Sequence, residues 1–271
     1  MPLRKYNLVF GAATLAIVIG MTLVGLVYTP FDPIGIDLAH RLAPPSSEHW
    51  FGTDQFGRDI FSRVMAAGKV SASVSLLSVA IAVGCGAVIG LLAGFFGGWL
   101  DRVLMVFLDA LLAIPGILLA LAIMVALGPS LASLVVALGI AYTPSVARVM
   151  RGAVFSIRQQ DYVEASRSMG DGSLYTIARH VAPNCITPLS VIASSLFSAA
   201  LLTESALSFL GLGVPPPNPT WGGMLADGKQ YFASAIWLSV FPGIVISITL
   251  LAINLLGDAM RDRFDPRMNE T

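Results

Sequence analysis

The sequence predicts an all-α membrane protein with six transmembrane helices, and its composition and hydrophobic pattern carry this prediction. Of its 271 residues, 56% are hydrophobic and only 12% are charged, about half the charged fraction of an ordinary soluble domain. The apolar residues form long runs without strict alternation, which indicates helices rather than the strands of a barrel. The 16 basic and 16 acidic residues balance, so no net charge favours nucleic acid as a partner.

Six apolar runs are candidates for the spans, because a bilayer core of about 30 Å needs roughly 20 residues of helix. The first run follows Arg4 and Lys5, as a signal peptide would. It is longer than a signal peptide's apolar region of about 7–15 residues and lacks a small-residue cleavage site, so we predict an uncleaved span. The predicted spans are residues 8–28, 71–95, 103–127, 131–147, 186–210 and 235–257.

The distribution of basic residues predicts the orientation of these spans, since cytoplasmic loops are enriched in Lys and Arg. With the N-terminus in the cytoplasm, eleven basic residues lie inside and five outside, so both termini are predicted to be cytoplasmic. Four of the outer five lie in one long loop, where the rule is weak. The inner set is Arg4, Lys5, Arg102, Arg148, Arg151, Arg158, Arg167, Arg179, Arg261, Arg263 and Arg267, and the outer set is Arg41, Arg58, Arg63, Lys69 and Lys229.

The first outer loop, about residues 29–69, ends in a segment with helical periodicity. Ile60, Phe61, Val64 and Met65 fall on one face of a helix over residues 59–68. This pattern predicts a short amphipathic helix at the membrane interface. A simple lead-in to the second span is the alternative. We therefore group residues 1–69 as an N-terminal span with an outer loop and an interfacial helix.

The inner segment, residues 148–184, is the most informative part of the chain. Apolar residues recur at helical spacing on both sides of a polar break, which predicts two short amphipathic helices. In the break, Gly170 tolerates positive φ and Ser173 can cap the second helix. A helix pair at the cytoplasmic surface is suited to docking a partner. The periodic residues are Tyr162, Ala165 and Met169 in the first helix and Leu174, Ile177 and Val181 in the second.

The inner segment also resembles the EAA loop of ABC importer permeases. The matching residues are Glu164-Ala165-Ser166, Gly170 and the later run His180-Val181-Ala182-Pro183-Asn184. In that family the loop carries the coupling helix, which sits in a groove of the ATPase. Ser166 replaces the second Ala of the motif and Ala182 replaces a Leu. We interpret both as small changes in a tolerant surface motif that affect affinity for the ATPase.

Further motifs are similar to the dipeptide and oligopeptide branch of this family. The resemblance implies a type I ABC importer transmembrane domain over residues 70–260, followed by a cytoplasmic tail over 261–271. It also implies an ATPase-coupling site at Glu164, Ala165, Ser166, Gly170, Asp171 and Pro183. The matching motifs are Trp50-Phe-Gly-Thr-Asp54-Gln-Phe-Gly57-Arg58-Asp59-Ile-Phe-Ser-Arg63, Phe209-Leu-Gly-Leu-Gly213, Trp221-Gly-Gly-Met and Gly257-Asp258-Ala-Met-Arg261-Asp262-Arg-Phe-Asp265-Pro266.

The partners and cargo follow from the same resemblance. It implies a homologous permease, two ABC ATPase subunits, a periplasmic or lipid-anchored binding protein and membrane lipid, in a bacterial inner membrane. ATP and Mg would bind the ATPases, and this chain would need no cofactor. Dipeptides or short oligopeptides are the predicted cargo, and nickel chelates, glutathione or opines are the alternative.

Polar residues inside the predicted spans are candidates for the translocation path. Ser190, Ser194 and Ser198 form an i, i+4, i+8 row on the fifth span, the helix that lines the path in the permeases it resembles. Packing by small residues is the alternative. Glu204 lies late in the same span and is expected to face a cavity mouth or to snorkel to the interface. Asp109, near the cytoplasmic end of the third span, is expected to reach water or Arg102.

Glycines recur every four residues along the second span, which predicts close packing against another helix, with a functional hinge as the alternative. The row is Gly86, Gly90, Gly94 and Gly98.

Enzymatic chemistry has no support in the sequence. Gly68-Lys69 is followed by Val70 and lacks the upstream glycine of a Walker A loop, so energy must come from a partner. The cysteines, Cys85 and Cys185, have no metal-ligand spacing, and we find no Ser-His-Asp constellation. A self-standing secondary transporter would need charged or discontinuous helices in two matched halves, which the sequence does not show.

Overall fold

The computed structural model describes residues 2–264, with side chains described for residues 8–259. Within these limits the secondary structure is helical, apart from one isolated β-bridge between Thr53 and Asp59. A π turn and a 3₁₀ turn join α7 to α8 without a break. The helices are α1 (Pro2–Val24), α2 (Ile60–Phe96), α3 (Gly98–Leu112), α4 (Gly116–Leu127), α5 (Leu131–Ile157), α6 (Asp161–Ser168), α7 (Ser173–Thr176), α8 (Ile186–Phe209), α9 (Trp221–Lys229) and α10 (Trp237–Phe264).

Among the described residues, four helices are long and apolar enough to cross a membrane: α2, α5, the continuous helix Ser173–Phe209, and α10. The count becomes five if α3 and α4 together form one broken span. The described apolar part of α1, Leu8–Val24, is shorter. Six spans therefore remain a prediction. The predicted tail, residues 261–271, lies outside the described side chains, as do Arg4 and Lys5.

The third predicted span is not one straight helix. We predicted a continuous helix over residues 103–127, but α3 ends at Leu112, α4 begins at Gly116, and their axes differ by 88°. Pro115 precedes α4 with an extended ψ of 129°. A proline has no N–H for the helix ladder and disfavours helical backbone in the residue before it, which explains the break.

The predicted interfacial helix over residues 59–68 is not separate. Those residues lead directly into the second span as the first part of α2, which has 37 residues and is about 55 Å long at 1.5 Å per residue. The Asp59 carboxylate accepts a hydrogen bond from the backbone N–H of Ser62 at 2.8 Å and caps the helix. Ile60 and Val64 are buried against other helices, so they are not available to a membrane surface.

The glycine row packs α2 against α5, as predicted, at three of its four positions. A Cβ added to Gly86, Gly90 or Gly94 would lie 2.6–2.8 Å from the Cβ atom of Val146, Met150 or Val154, respectively. Gly98 does not belong to the row, because it starts α3 and faces open space. The α5 helix also continues to Ile157, ten residues beyond the predicted end of the fourth span.

Candidate functional site

The inner segment begins later than predicted, because residues 148–157 belong to α5. The first predicted short helix follows as α6, and a turn at Gly170 ends it. The second is not a separate short helix, because α7 is the first turn of the continuous helix Ser173–Phe209. Gly170 has a φ of +87°, and a Cβ there would meet nothing within 4 Å, so the backbone conformation and not space requires glycine. The predicted cap is wrong: Gly172 precedes α7, and no side chain caps its N-terminus.

Ser166 is buried and links the two short helices. Its hydroxyl donates to the Asp171 carboxylate at 2.6 Å and lies 3.3 Å from the hydroxyl of Thr176. The backbone N–H of Asp171 also donates to the carbonyl of Ser166, at 3.2 Å. The interpretation of position 166 as tolerant surface is therefore wrong, because the Ser166 side chain is buried and its hydrogen bond holds the turn between α6 and α7. Ala165 and Pro183 are exposed.

The inward face of the segment belongs to a hydrophobic cluster at the inner ends of α2 and α5. This cluster anchors α6 through Val163 and the π turn after α7 through Ile177 and Val181, since buried apolar contacts resist displacement. Its buried members are Phe95, Met150, Val154, Val163, Ile177, Val181 and Cys185.

The outward face is open. Met169 and Leu174 are 78% and 80% exposed, and Tyr175 is 54% exposed, which marks a surface suited to a protein partner. Glu164 is also exposed and forms no ion pair among residues 8–259. Arg167, three residues further along α6, does not pair with Glu164, and its guanidinium lies 4.6 Å from the ring centre of Phe95.

The serine row on α8 does not form one polar surface. Ser190 and Ser194 donate to carbonyls of their own helix, at 2.8 Å each, and Ser198 is buried with no hydrogen-bond partner in the described part of the chain. Ser194 lines an apolar groove of about 580 Å³ between α1, α2, α8 and α10. A role in the path stays a prediction for all three residues.

Glu204 neither snorkels nor lines a cavity mouth. Its side chain is fully buried and accepts a hydrogen bond from the hydroxyl of Ser208 at 2.8 Å. The hydroxyl of Thr220 lies 3.4 Å from that of Ser208, and the N–H of Trp221 donates to the hydroxyl of Ser71 at 3.2 Å. These bonds join α2, α8 and the start of α9. The Glu204 carboxyl group is therefore enclosed by helices of this chain.

Arginines on α5 form ion pairs with α3 at the end of the bundle that carries the inner segment. Asp109 pairs with Arg148 at 2.6 Å and not with Arg102. Arg151 donates through both Nε and Nη2 to the two carboxylate oxygens of Asp101. Sequence reasoning used Arg151 and Arg158 only to count charges, although their spacing of seven residues places them on one face of a helix.

An outer charge cluster was also missed. Arg58 donates to Asp54 at 2.6 Å through Nε, and Arg63 lies 3.5 Å from the same carboxylate. Asp227 of α9 lies 3.7 and 3.9 Å from the guanidiniums of Arg63 and Arg58. Burial raises the pKa of Asp227, and the two guanidiniums oppose that shift. The motif at residues 50–63 therefore ties the outer loop to α9.

The chain combines several helices that are long and apolar enough to cross a membrane with a segment that is buried on one face and open on the other. The family model for the binding-protein-dependent transport system inner membrane component matches residues 86–270. The chain belongs to this family.

Named relatives match over most of their length. A putative peptide transport system permease of Brucella suis is 42% identical over 266 residues, which cover 98% of this chain and 90% of the relative. A dipeptide transport system permease of Alkalihalophilus pseudofirmus is 42% identical over 230 residues, 85% of this chain and 76% of the relative. A glutathione transport system permease of Pectobacterium atrosepticum is 41% identical over 224 residues, which cover 83% of this chain and 74% of the relative.

Proposed function

We propose that this chain is the permease subunit of an ATP-driven ABC importer for dipeptides or short oligopeptides. The peptide and dipeptide permeases among its relatives support this cargo. The glutathione permeases support the alternative cargo. No relative named here favours nickel chelates or opines.

The observation that carries the proposal is the two-sided construction of the coupling loop, which we define as residues 159–185, after the Arg158 cap of α5. Val163, Ile177 and Val181 bury the inner side against α2 and α5, while Met169 and Leu174 expose the outer side. A partner that binds the outer side can therefore move the bundle, because the inner side does not slide independently. An ATPase that changes shape with each nucleotide cycle is such a partner.

The working complex contains two ATPase subunits, a homologous permease and a periplasmic or lipid-anchored binding protein. The translocation path lies between the two permeases. ATP and Mg bind the ATPases, and this chain contributes binding and movement without a catalytic residue. In this arrangement the chain crosses a bacterial inner membrane six times, with both termini and the coupling loop in the cytoplasm.

The test is purification of the tagged chain from its native membrane, followed by reconstitution with the subunits that accompany it. We expect the ATPases and a second permease to co-purify, and ATP-dependent uptake of labelled dipeptide to require the binding protein. Competition with unlabelled dipeptide, glutathione and a nickel chelate identifies the cargo. ATP hydrolysis or uptake by the chain alone would contradict the proposal.

A further inference from the structure

Helix α3 is weakly packed compared with its neighbours. Of its residues only Leu108 is buried, and the Pro115 break turns the chain by 88° after it. At its start, Gly97 and Gly98 both have positive φ, +65° and +60°. Two adjacent glycines make a joint with little side-chain restraint, so contacts from other elements must set the direction of α3.

Arg158, directly after α5, makes such a contact at the joint. Its Nη1 donates to the carbonyl of Gly94 at 2.8 Å and to that of Phe95 at 3.4 Å. The last carbonyls of a helix lack partners within the helix and carry partial negative charge. A guanidinium therefore suits this position, and it holds the end of α2 next to the glycine joint.

Arg158 is one layer of a stack that reaches α3. The guanidiniums of Arg158 and Arg151 lie 4.2 and 4.6 Å from the ring centre of Phe155. Arg151 then donates to the Asp101 carboxylate in the first turn of α3, at 2.6 Å through Nη2. We call Arg151, Phe155 and Arg158 the arginine stack.

The coupling loop reaches the same point from the cytoplasmic side. Arg167 of α6 lies 4.6 Å above the ring of Phe95, whose carbonyl accepts from Arg158. Contacts therefore run without a gap from α6, through the end of α2 and the arginine stack, to the first turn of α3.

We propose that the arginine stack transmits displacement of the coupling loop to α3, with Arg158 as the positioning residue at the glycine joint. The proposal rests on the proposed function, because the displacement comes from the ATPases. When the loop moves with the inner ends of α2 and α5, the stack carries the start of α3 with it. Without Arg158, the stack loses its bonds to the end of α2, and the glycine joint lets α3 stay behind when α6 moves. ATP hydrolysis then no longer opens the translocation path.

The first experiment measures peptide transported per ATP hydrolysed by the reconstituted complex. Loss of a charge-assisted hydrogen bond is expected to lower this ratio for Arg158→Gln by about tenfold, with ATPase co-purification unchanged. Phe155→Leu should also lower it. Arg158→Lys, which keeps the charge but loses the planar stack, should fall between Arg158→Gln and wild type. Arg41→Gln in the first outer loop is the control, since it removes an exposed arginine that forms no ion pair among residues 8–259 and does not contact α3.

The second experiment measures whether α3 and α6 move together. Spin labels at Val106→Cys and Asp161→Cys, both exposed positions, report the distance between the helices with and without ATP. Native Cys85 and Cys185 are replaced by serine and alanine in this background. We expect the distance to stay constant in the otherwise unchanged complex and to change with ATP when Arg158→Gln is added.

The outcomes separate this proposal from the proposed function. Failure of the unmutated chain to bind ATPases refutes the proposed function, and the proposal falls with it. Normal binding with an unchanged transport ratio in Arg158→Gln overturns the proposal alone. Loss of ATPase binding in Arg158→Gln also overturns it, because the residue would then serve docking. A distance that varies with ATP in the unmutated complex overturns it as well.

Discussion

The hydroxyl of Ser166 donates a hydrogen bond to the carboxylate of Asp171 at 2.6 Å, across the turn that separates α6 from α7. Ser166 is buried and Asp171 is half-buried, so the bond lies between the inward face of the coupling loop and its exposed face. Removing the donor costs less than the roughly 1–3 kcal/mol of a fully buried unpaired group, because water reaches part of the carboxylate.

Ser166→Ala should therefore loosen the turn and lower ATP-dependent uptake severalfold, with unchanged abundance of the chain in the membrane. Uptake and ATPase co-purification are measured together. Ser173→Ala is the control, because that serine is exposed and caps no helix. Equal uptake by the two variants would mean that the hydrogen bond does not hold the loop.

Gly170→Val should leave the chain inserted and abolish uptake. A φ of +87° costs a β-branched residue at least about 1–2 kcal/mol, so the turn must rearrange. Gly172→Ala is the control, since its φ is −66° and its surroundings are open. Glu164→Ala should weaken uptake less than Gly170→Val, because Glu164 forms no ion pair among the described residues. Normal uptake by Gly170→Val would mean that the coupling loop only connects two helices and does not couple transport to the ATPases.

Gly90→Leu should prevent normal assembly of the complex. An added side chain would enter the space of Met150 Cβ, 2.7 Å from a Cβ at this position, and overpacking costs about 1–3 kcal/mol. Gly84→Leu on the same helix is the control, because nothing lies within 4 Å of its Cβ position. Abundance and co-purification are measured by quantitative immunoblot. Similar abundance of both variants would contradict the observed packing of α2 on α5.

Glu204→Leu should destabilise the chain, and Glu204→Gln should be tolerated. The leucine leaves the buried hydroxyl of Ser208 without its acceptor, a loss of about 1–3 kcal/mol, whereas glutamine keeps an acceptor oxygen. Thermal aggregation of the detergent-purified complex compares the two. If the Glu204→Gln complex aggregates at the same temperature as the wild-type complex but does not take up peptide, the carboxylate has a direct role in transport that its burial does not suggest.

Orientation is tested by cysteine labelling in intact cells, in a Cys85→Ser background. An impermeant reagent should label Ser47→Cys in the outer loop and should not label Ser173→Cys in the coupling loop. Both positions are exposed on the chain, so accessibility alone does not separate them. Disrupted cells, in which both must react, are the control. Labelling of Ser173→Cys in intact cells would reverse the assigned topology.

The features that the sequence by itself determined are those that depend on neighbours along the chain. The apolar runs correspond to helices because hydrophobicity and length are local quantities. The turn at Gly170 and the packing face at Gly86, Gly90 and Gly94 follow from residue type and spacing in the same way. The break at Pro115 was equally local, and we missed it because the apolar run continues across it.

The tertiary structure alone decided which side chains meet across the bundle. Asp109 pairs with Arg148, 39 positions away, and Arg167 lies over Phe95, while nearer charges were available in sequence. Glu204 is buried because α2 and α9 close over α8, which no periodicity of α8 indicates. Partner choice between distant elements depends on how whole helices pack, and packing minimises voids and unpaired polar groups over the entire fold rather than along one segment.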